Sequence, residues 1–252
     1  MKGIDVYKGQ GDIDFRKVKE AGYDFVIVQA GFGKYEHQKD ICFERNYANA
    51  RAAGLHVGAY WYSYAETVAD ARREAEVFCE IIKGKQFDMP VAYDVETETQ
   101  SRLSPALIGE MIETFCSYVE SKGYYVSLYS YQSFLENKVP AAVRSKYDIW
   151  LASFDVSEPS YSGTYGIWQY SETGRVPGIG VNTDLDIAYK DYPTIIKAAG
   201  LNGYEKPAPA EPDPPSEPAK DFPKGDLNED GVVDIEDAIA LLNHINGIKP
   251  LE

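Results

Sequence analysis

The sequence is poor in cysteine, in long apolar runs and in positive charge, and each shortage excludes a class of protein. Its three cysteines are Cys42, Cys79 and Cys116, each in a separate helix-like segment. We therefore expect buried, reduced thiols and no disulfide framework. No run approaches the ~20 apolar residues of a membrane span. Lys and Arg number 25 against 40 Asp and Glu, so the net charge of −15 argues against a nucleic-acid partner.

The first 200 residues alternate between short apolar runs and helix-like segments. Helix-like segments end at Gly22, Gly54, Gly84 and Gly123, and Ser104-Pro105 is a typical helix start. After about residue 145, three strand-like runs follow with little room for helices. Five βα units followed by three strands predict a barrel of the α/β class that is irregular in its last third. A doubly wound open sheet is the alternative, but eight runs and no glycine-rich phosphate loop after the first strand favour the barrel.

The remaining residues divide into a linker and a small module. Residues 201–224 are rich in proline and acidic residues, which predicts an extended, semi-rigid linker. We therefore expect a barrel domain over residues 1–200 and a small module over residues 225–252.

The stretch "MPVAYDVETET" places two carboxylates, Asp94 and Glu96, at the end of the fourth predicted strand. Asp5 lies in the first strand and Asp184 near the last. Active sites of parallel barrels gather at the carboxyl ends of the strands, so we expect these four acids to face one pocket. A strand-end acid alone is more often a rim residue than a catalyst. Crowding and burial raise carboxyl pKa values, and a protonated acid can donate to a leaving glycosidic oxygen.

Five segments, in order along residues 1–195, resemble the glycoside hydrolase family 25 lysozymes. They are "GIDVYKGQGDIDFRKVKEAGYDFVIVQAGFG", "VGAYWYSYA", "PVAYDVET", "IWQYSETGRVPGI" and "NTDLDIAY". The resemblance implies an irregular, flattened (β/α)5β3 barrel and an N-acetylmuramidase of the phage endolysin type. Such an enzyme cleaves the β-1,4 bond between N-acetylmuramic acid and N-acetylglucosamine in peptidoglycan and needs no cofactor for catalysis.

The resemblance also implies roles for the four acids. Glu96 falls on the general acid/base, Asp94 on its electrostatic partner, and Asp5 and Asp184 on the other two acids of the site. Asp186 would share the strand face of Asp184, so it is an alternative for that role. We expect Tyr62, Tyr129, Trp168 and Gln169 to contact sugar. The alternation in "YWYSY" places Trp61 on the opposite face from Tyr60 and Tyr62.

The C-terminal module contains "DLNEDGVVDIED", which has the oxygen spacing of a calcium-binding loop. Gly231 is at position 6, where such loops turn sharply. The predicted ligands, at positions 1, 3, 5, 7, 9 and 12, are Asp226, Asn228, Asp230, the Val232 carbonyl, Asp234 and Asp237. No entering helix precedes the loop, so the module resembles one repeat of a dockerin, a module that normally has two.

The helix after this loop has an apolar face that it cannot bury alone. We expect it to pack on its own barrel or on the same module of a second chain, giving a homodimer. A cohesin-like scaffold is another partner, which the single repeat argues against. The N-terminus lacks the apolar core of a secretory signal. We therefore expect a protein made in the cytoplasm that acts at the cell wall after release. A barrel that binds glycan without cutting it is the alternative function.

Overall fold

The computed structural model describes residues 1–207 and 224–247, which belong to two compact units. The first unit is Met1–Pro207 and the second is Ala208–Glu252. The first unit thus extends past the boundary predicted at residue 200. Asn202 is fully buried in it and donates hydrogen bonds to the carbonyls of Phe87 and Met89 at 3.2 and 2.9 Å. Residues 208–223 of the predicted linker lie outside the described residues.

Eight strands close the barrel of the first unit in chain order. Each coincides with one of the apolar runs seen in the sequence. They are β1 (Lys2–Val6), β2 (Phe25–Phe32), β3 (His56–Tyr62), β4 (Val91–Asp94), β5 (Val126–Tyr131), β6 (Asp148–Ala152), β7 (Ile167–Gly174) and β8 (Thr183–Ala188). The closed barrel confirms the predicted fold class and excludes the open sheet.

The last strand runs against the others. Strands β1 to β7 pair in parallel, whereas β8 is antiparallel to both β1 and β7. This corrects one step of the sequence argument, which placed all four acids at carboxyl ends of strands. Asp184 is the second residue of β8, and because this strand is reversed, its beginning lies at the mouth where the other strands end.

Helices connect the first six strands, and one more follows the last strand. The connecting helices are α1 (Phe15–Glu20), α2 (Phe43–Ala52), α3 (Val68–Ile82), α4 (Glu98–Ser101), α5 (Pro105–Ser121), α6 (Gln132–Lys138) and α7 (Ala141–Lys146), and the helix after β8 is α8 (Tyr192–Ala199). Residues 148–188, all described, contain β6, β7 and β8 without a helix between them. This is the five-plus-three pattern predicted from the sequence.

The longest helix, α5, shows how sequence sets its bounds. Ser104 caps it by accepting a hydrogen bond from the Leu107 amide at 3.3 Å, and Pro105 is its first residue. The chain then turns at Gly123, whose φ of 84° is costly for residues with a side chain. The buried face of α5 includes Phe115, whose ring stacks on Tyr93 with 3.7 Å between centroids.

Two apolar layers hold the barrel together. The outer layer, between strands and helices, contains the fully buried Trp61, Phe78 and Phe115. The inner layer fills the barrel and includes Tyr129 and Trp150, whose rings meet edge to face at 4.7 Å between centroids. The inner layer is thus aromatic and lies directly beneath the mouth that carries the acids. The three cysteines are free and buried, as predicted.

The second unit contains the loop motif Asp226–Asp237, whose last three residues form the first turn of α9 (Ile235–Ile245). Asp234 caps this helix by accepting a hydrogen bond from the Glu236 amide at 2.8 Å. The apolar residues Ile235, Leu242 and Ile245 of α9 are more than half exposed. Within residues 1–207 and 224–247, no helix has both the length and the apolar character needed to cross a membrane.

Candidate active site

A cavity of about 460 Å³ opens at the barrel mouth and brings together the four acids predicted from the sequence. Its floor and walls are mostly acids and aromatic rings. The acids are Asp5, Asp94, Glu96, Glu172 and Asp184, and the aromatic residues are Tyr7, Phe32, Tyr60, Tyr62, Tyr64, Tyr129, Trp150 and Phe154. Carboxyl groups surrounded by aromatic faces are suited to carbohydrate chemistry.

Asp94 and Glu96 reach the cavity from different local structures. Asp94 is the last residue of β4 and is 4% exposed, whereas Glu96 follows the strand and is partly exposed. Strand alternation therefore does not account for the position of Glu96. Two hydrogen bonds hold the intervening Val95. Its amide donates to the Tyr129 carbonyl, and its own carbonyl accepts from the Ser130 hydroxyl at 2.6 Å. Glu96 is thus the member of the pair that an entering substrate can reach.

Asp5 is held by a chain of polar side chains on the opposite wall. Gln169 donates its amide hydrogen to Asp5 at 2.6 Å and accepts a hydrogen bond from the Tyr129 hydroxyl at 2.8 Å. Asp5 is 4% exposed and lies beside Asp184 in the register of β1 and β8. This chain fixes the orientation of Asp5 while Asp184 remains partly exposed to the cavity.

The structure separates the two aspartates that the sequence left as alternatives. Asp184 lines the cavity, whereas Asp186 is completely buried and accepts a hydrogen bond from the Trp150 indole at 2.8 Å. Asp186 lies one strand repeat further from the mouth, opposite Gly3. The geometry therefore favours Asp184 as the residue that meets a substrate and Asp186 as a group beneath it.

Burial and mutual repulsion raise the pKa values of Asp94, Glu96, Asp184 and Asp186. Burial, then the charge of Asp184 and Glu172, raises the pKa of Glu96 to about 7. Burial, then Glu96, raises the pKa of Asp94 well above its ordinary value. Burial raises the pKa of Asp184 to about 6 and, despite the Trp150 hydrogen bond, that of Asp186 to about 8. Near neutral pH the cavity therefore holds protonated carboxyl groups that can act as acids.

Three of the four predicted sugar contacts line the cavity. Tyr62, Tyr129 and Gln169 do so, whereas Trp168 lies outside this lining and donates its indole hydrogen to the Ser153 carbonyl at 2.8 Å. Because Trp168 and Gln169 are adjacent in β7, strand alternation directs them to opposite faces. Trp61 is on the outer face, as predicted, and its indole donates to the Gly33 carbonyl.

Sequence reasoning missed several residues of the cavity. Gln29 is a polar residue within the apolar run of β2, which is a signal for a side chain facing a site. Glu172 follows an irregularity in the pairing of β7 with β8, so simple alternation could not place it. Among the described residues that line the cavity, Lys8 is the one basic side chain.

The predicted calcium loop folds back on itself in the second unit. Asp226 accepts hydrogen bonds from the amides of Asp230 and Gly231, and Asp237 accepts from Leu227 and Asn228. The Asp234 amide, which also donates to Asp237, and then the Leu227 and Asn228 amides lower the pKa of Asp237 and favour its carboxylate form. Across residues 1–207 and 224–247, no group of three or more His, Cys, Asp or Glu side chains is arranged to hold a metal ion.

Comparisons with known proteins identify the family of the chain. The glycosyl hydrolases family 25 model matches residues 4–179. The autolytic lysozyme of Clostridium acetobutylicum is 36% identical over 186 residues, which cover 74% of this chain and 55% of that protein. Lysozyme M1 of Streptomyces globisporus is 29% identical over 73% of this chain and 66% of its own length. The chain thus spans about half to two thirds of these two relatives.

Solved structures share the fold. The bacterial lysozyme from Streptomyces coelicolor superposes with a TM-score of 0.69 at 27% identity, covering 81% of this chain and 97% of that one. The modular autolysin LytC from Streptococcus pneumoniae, solved with a synthetic peptidoglycan ligand, gives a TM-score of 0.64 at 27% identity, over 75% and 46% of the two chains. Together with the matched family model, these likenesses show that the chain belongs to glycosyl hydrolases family 25.

Proposed function

We propose that the protein is a peptidoglycan hydrolase that cleaves the β-1,4 bond between N-acetylmuramic acid and N-acetylglucosamine. The observation that carries this proposal is a partly exposed glutamic acid, Glu96, whose pKa is about 7 and which faces further acids in an open aromatic cavity. LytC, a member of the same structural group, was solved with a peptidoglycan ligand, which supports the same substrate class here.

In this proposal Glu96 is the general acid and base. Its protonated carboxyl donates to the leaving glycosidic oxygen as the bond from that oxygen to the anomeric carbon breaks. Its carboxylate then removes a proton from the water that completes hydrolysis. The raised pKa keeps the carboxyl protonated up to about neutral pH, as the first step requires. The negative charges of Asp184 and Glu172 oppose ionisation of Glu96 and so help to hold that proton.

The nucleophile in this proposal is the 2-acetamido group of the substrate. Its carbonyl oxygen attacks the anomeric carbon as the leaving group departs, and water later opens the cyclic intermediate. One of Asp94 or Asp184 orients the acetamido N–H. Asp184 is the more accessible of the two, since it is partly exposed and Asp94 is 4% exposed. The route retains the anomeric configuration, which NMR of the initial product would report.

Digestion of purified peptidoglycan followed by mass spectrometry of the muropeptides tests the reaction. A new reducing end on muramic acid is the expected product, and Glu96→Gln should abolish it. A chain that binds peptidoglycan without releasing fragments would instead be a glycan-binding barrel. Wild-type activity in Glu96→Gln would refute the assignment of the general acid.

We also propose that the second unit binds calcium and forms the contact of a homodimer or a docking partner. The donors of its loop are carboxylate, amide and carbonyl oxygens, which suit a hard cation. The loop already brings Asp226 close to Asp230 and Asp237 close to Asn228. The exposed apolar residues of α9 provide a surface that a second copy could cover.

Calorimetry with calcium tests the loop, and sedimentation in millimolar calcium and in chelator tests the dimer. Binding with one site per chain, lost in Asp226→Ala with Asp237→Ala, is the expected result. A monomer mass in calcium would refute the dimer, and no heat of binding would refute the calcium site.

A further inference from the structure

A buried glutamate lies behind the cavity wall, on the outer face of the barrel. Glu74 is in the middle of α3 and is 1% exposed. Its carboxylate accepts three hydrogen bonds: from the Ser63 hydroxyl at 2.8 Å, the Tyr93 hydroxyl at 2.9 Å and the Tyr64 amide at 2.8 Å. Three donors and no acceptor among the described residues specify the ionised form, although burial raises the pKa of Glu74 to about 7.

The three donors belong to the two strand ends that form one wall of the cavity. Ser63 and Tyr64 directly follow β3, whose last residue, Tyr62, lines the cavity together with Tyr64. Tyr93 is the residue before Asp94 in β4. One carboxylate therefore ties the end of β3 to the end of β4 from outside.

The same cluster extends to the segment that carries Glu96. The Ser63 amide donates to the Asp94 carbonyl at 2.9 Å. Gln100 donates to the Ser63 hydroxyl at 2.9 Å, and its side-chain oxygen accepts from the Thr97 amide at 3.0 Å. Thr97 directly follows Glu96, so the chain of contacts runs from Glu74 through Ser63 and Gln100 to the residue next to the proposed acid.

We propose that Glu74 is a positioning residue, which fixes Asp94 and Glu96 in the cavity by holding Ser63 and Tyr93. This inference rests on the proposed function. Glu74 itself is outside the cavity lining and does not contact substrate. Burying a charged side chain lowers the stability of the fold. Such a residue is retained where it holds catalytic groups in the geometry that the reaction needs. Because small displacements of catalytic groups slow the chemical step, the effect falls on kcat.

The test is the steady-state kinetics of Glu74→Gln on peptidoglycan, with Glu76→Gln as the matched control. Glu76 is on the same helix and pairs with Arg72 and Arg73 at the surface. We expect Glu74→Gln to lower kcat by roughly 10–100-fold with KM changed less than about threefold, and Glu76→Gln to keep wild-type values. Melting curves confirm that each variant is folded at the assay temperature.

Tyr93→Phe keeps the inference testable if Glu74→Gln does not fold. It removes one donor while the ring stays stacked on Phe115. We expect a smaller loss of kcat, of about 3–10-fold, and a double variant whose loss is less than the product of the two single losses. Wild-type kcat in a folded Glu74→Gln or Tyr93→Phe overturns this inference alone. A loss confined to KM overturns it as well, whereas an inactive wild-type protein overturns the proposed function and this inference together.

Discussion

Glu96→Gln should make the protein inactive and, at alkaline pH, more stable. Burial raises the pKa of Glu96 from 4.5 to about 7. At about 1.4 kcal/mol for each tenfold change in proton affinity, ionising this carboxyl costs the folded chain up to about 3 kcal/mol. The sign follows from a raised pKa: the stabilisation is complete below pH 4.5 and is lost as the pH rises through about 7.

Glutamine resembles the protonated acid, so the variant keeps this stability at every pH. Urea unfolding followed by circular dichroism should give equal free energies of unfolding for wild type and variant near pH 4. Near pH 9 the variant should be more stable by up to about 3 kcal/mol, or about 6–12 °C in melting temperature. Glu98→Gln, which replaces an exposed glutamate of α4, is the control and should show no such dependence on pH. An equal difference at both pH values would refute the reasoning.

Three further variants or conditions test the cavity. The kcat on purified peptidoglycan, followed by turbidity, should fall about tenfold for each pH unit above about 7, because Glu96 must be protonated, and a flat profile from pH 6 to 9 would contradict its role. Gln169→Leu should lower kcat/KM by roughly tenfold, since Asp5 loses its hydrogen-bond donor, and unchanged kinetics would show that this donor is dispensable. Lys8→Met should lower kcat/KM on peptidoglycan that carries anionic peptide stems several-fold more than on neutral chitin oligosaccharides, because Lys8 is the one basic side chain among the described lining residues. Equal losses on both substrates would argue against recognition of the stems.

The number of strands and the gathering of the acids could be predicted from the sequence because both depend on simple patterns. Each strand is a short apolar run between turn signals, and closing eight of them brings β1 and β8 together. Asp5 and Asp184 then become neighbours whatever the direction of β8. The direction itself leaves no local pattern, because a short strand pairs in either sense and the connections decide.

Details of the site that depend on exact strand ends could not be predicted. Glu96 lies beyond the end of β4, and its position is set by hydrogen bonds from Val95 to β5. The role of Glu74 could not be predicted for another reason. Glu74 interrupts the apolar buried face of α3, but its hydrogen-bond donors Ser63 and Tyr93 are distant in sequence, and their contact depends on how the helix packs on the barrel. The position of Trp168 could have been predicted from the sequence. Trp168 is adjacent to Gln169, and strand alternation allows only one of the two to face the cavity.

Buried carboxyl groups have shifted pKa values at both ends of the barrel, but the shifts are in opposite directions. At the end away from the mouth, Asp88 is buried, yet Lys197 at 2.9 Å, the Tyr204 hydroxyl at 2.8 Å and Arg51 at 3.1 Å outweigh burial and lower its pKa. At the mouth, acids face other acids, and burial raises the pKa values of Asp94, Glu96 and Asp184.

The chain can therefore supply cationic and hydrogen-bonding partners to a buried aspartate, as it does for Asp88. Buried carboxyl groups without a cationic partner lower the stability of a protein. We infer that the cavity retains such groups because their raised proton affinity serves general acid catalysis. Supplying a partner tests this. Gln29→Lys, which would introduce a cation into the cavity lining, should lower the pKa of Glu96, raise stability near pH 9 and shift the fall of kcat to lower pH. A more stable variant with an unchanged pH profile would show that the raised pKa of Glu96 does not govern the reaction.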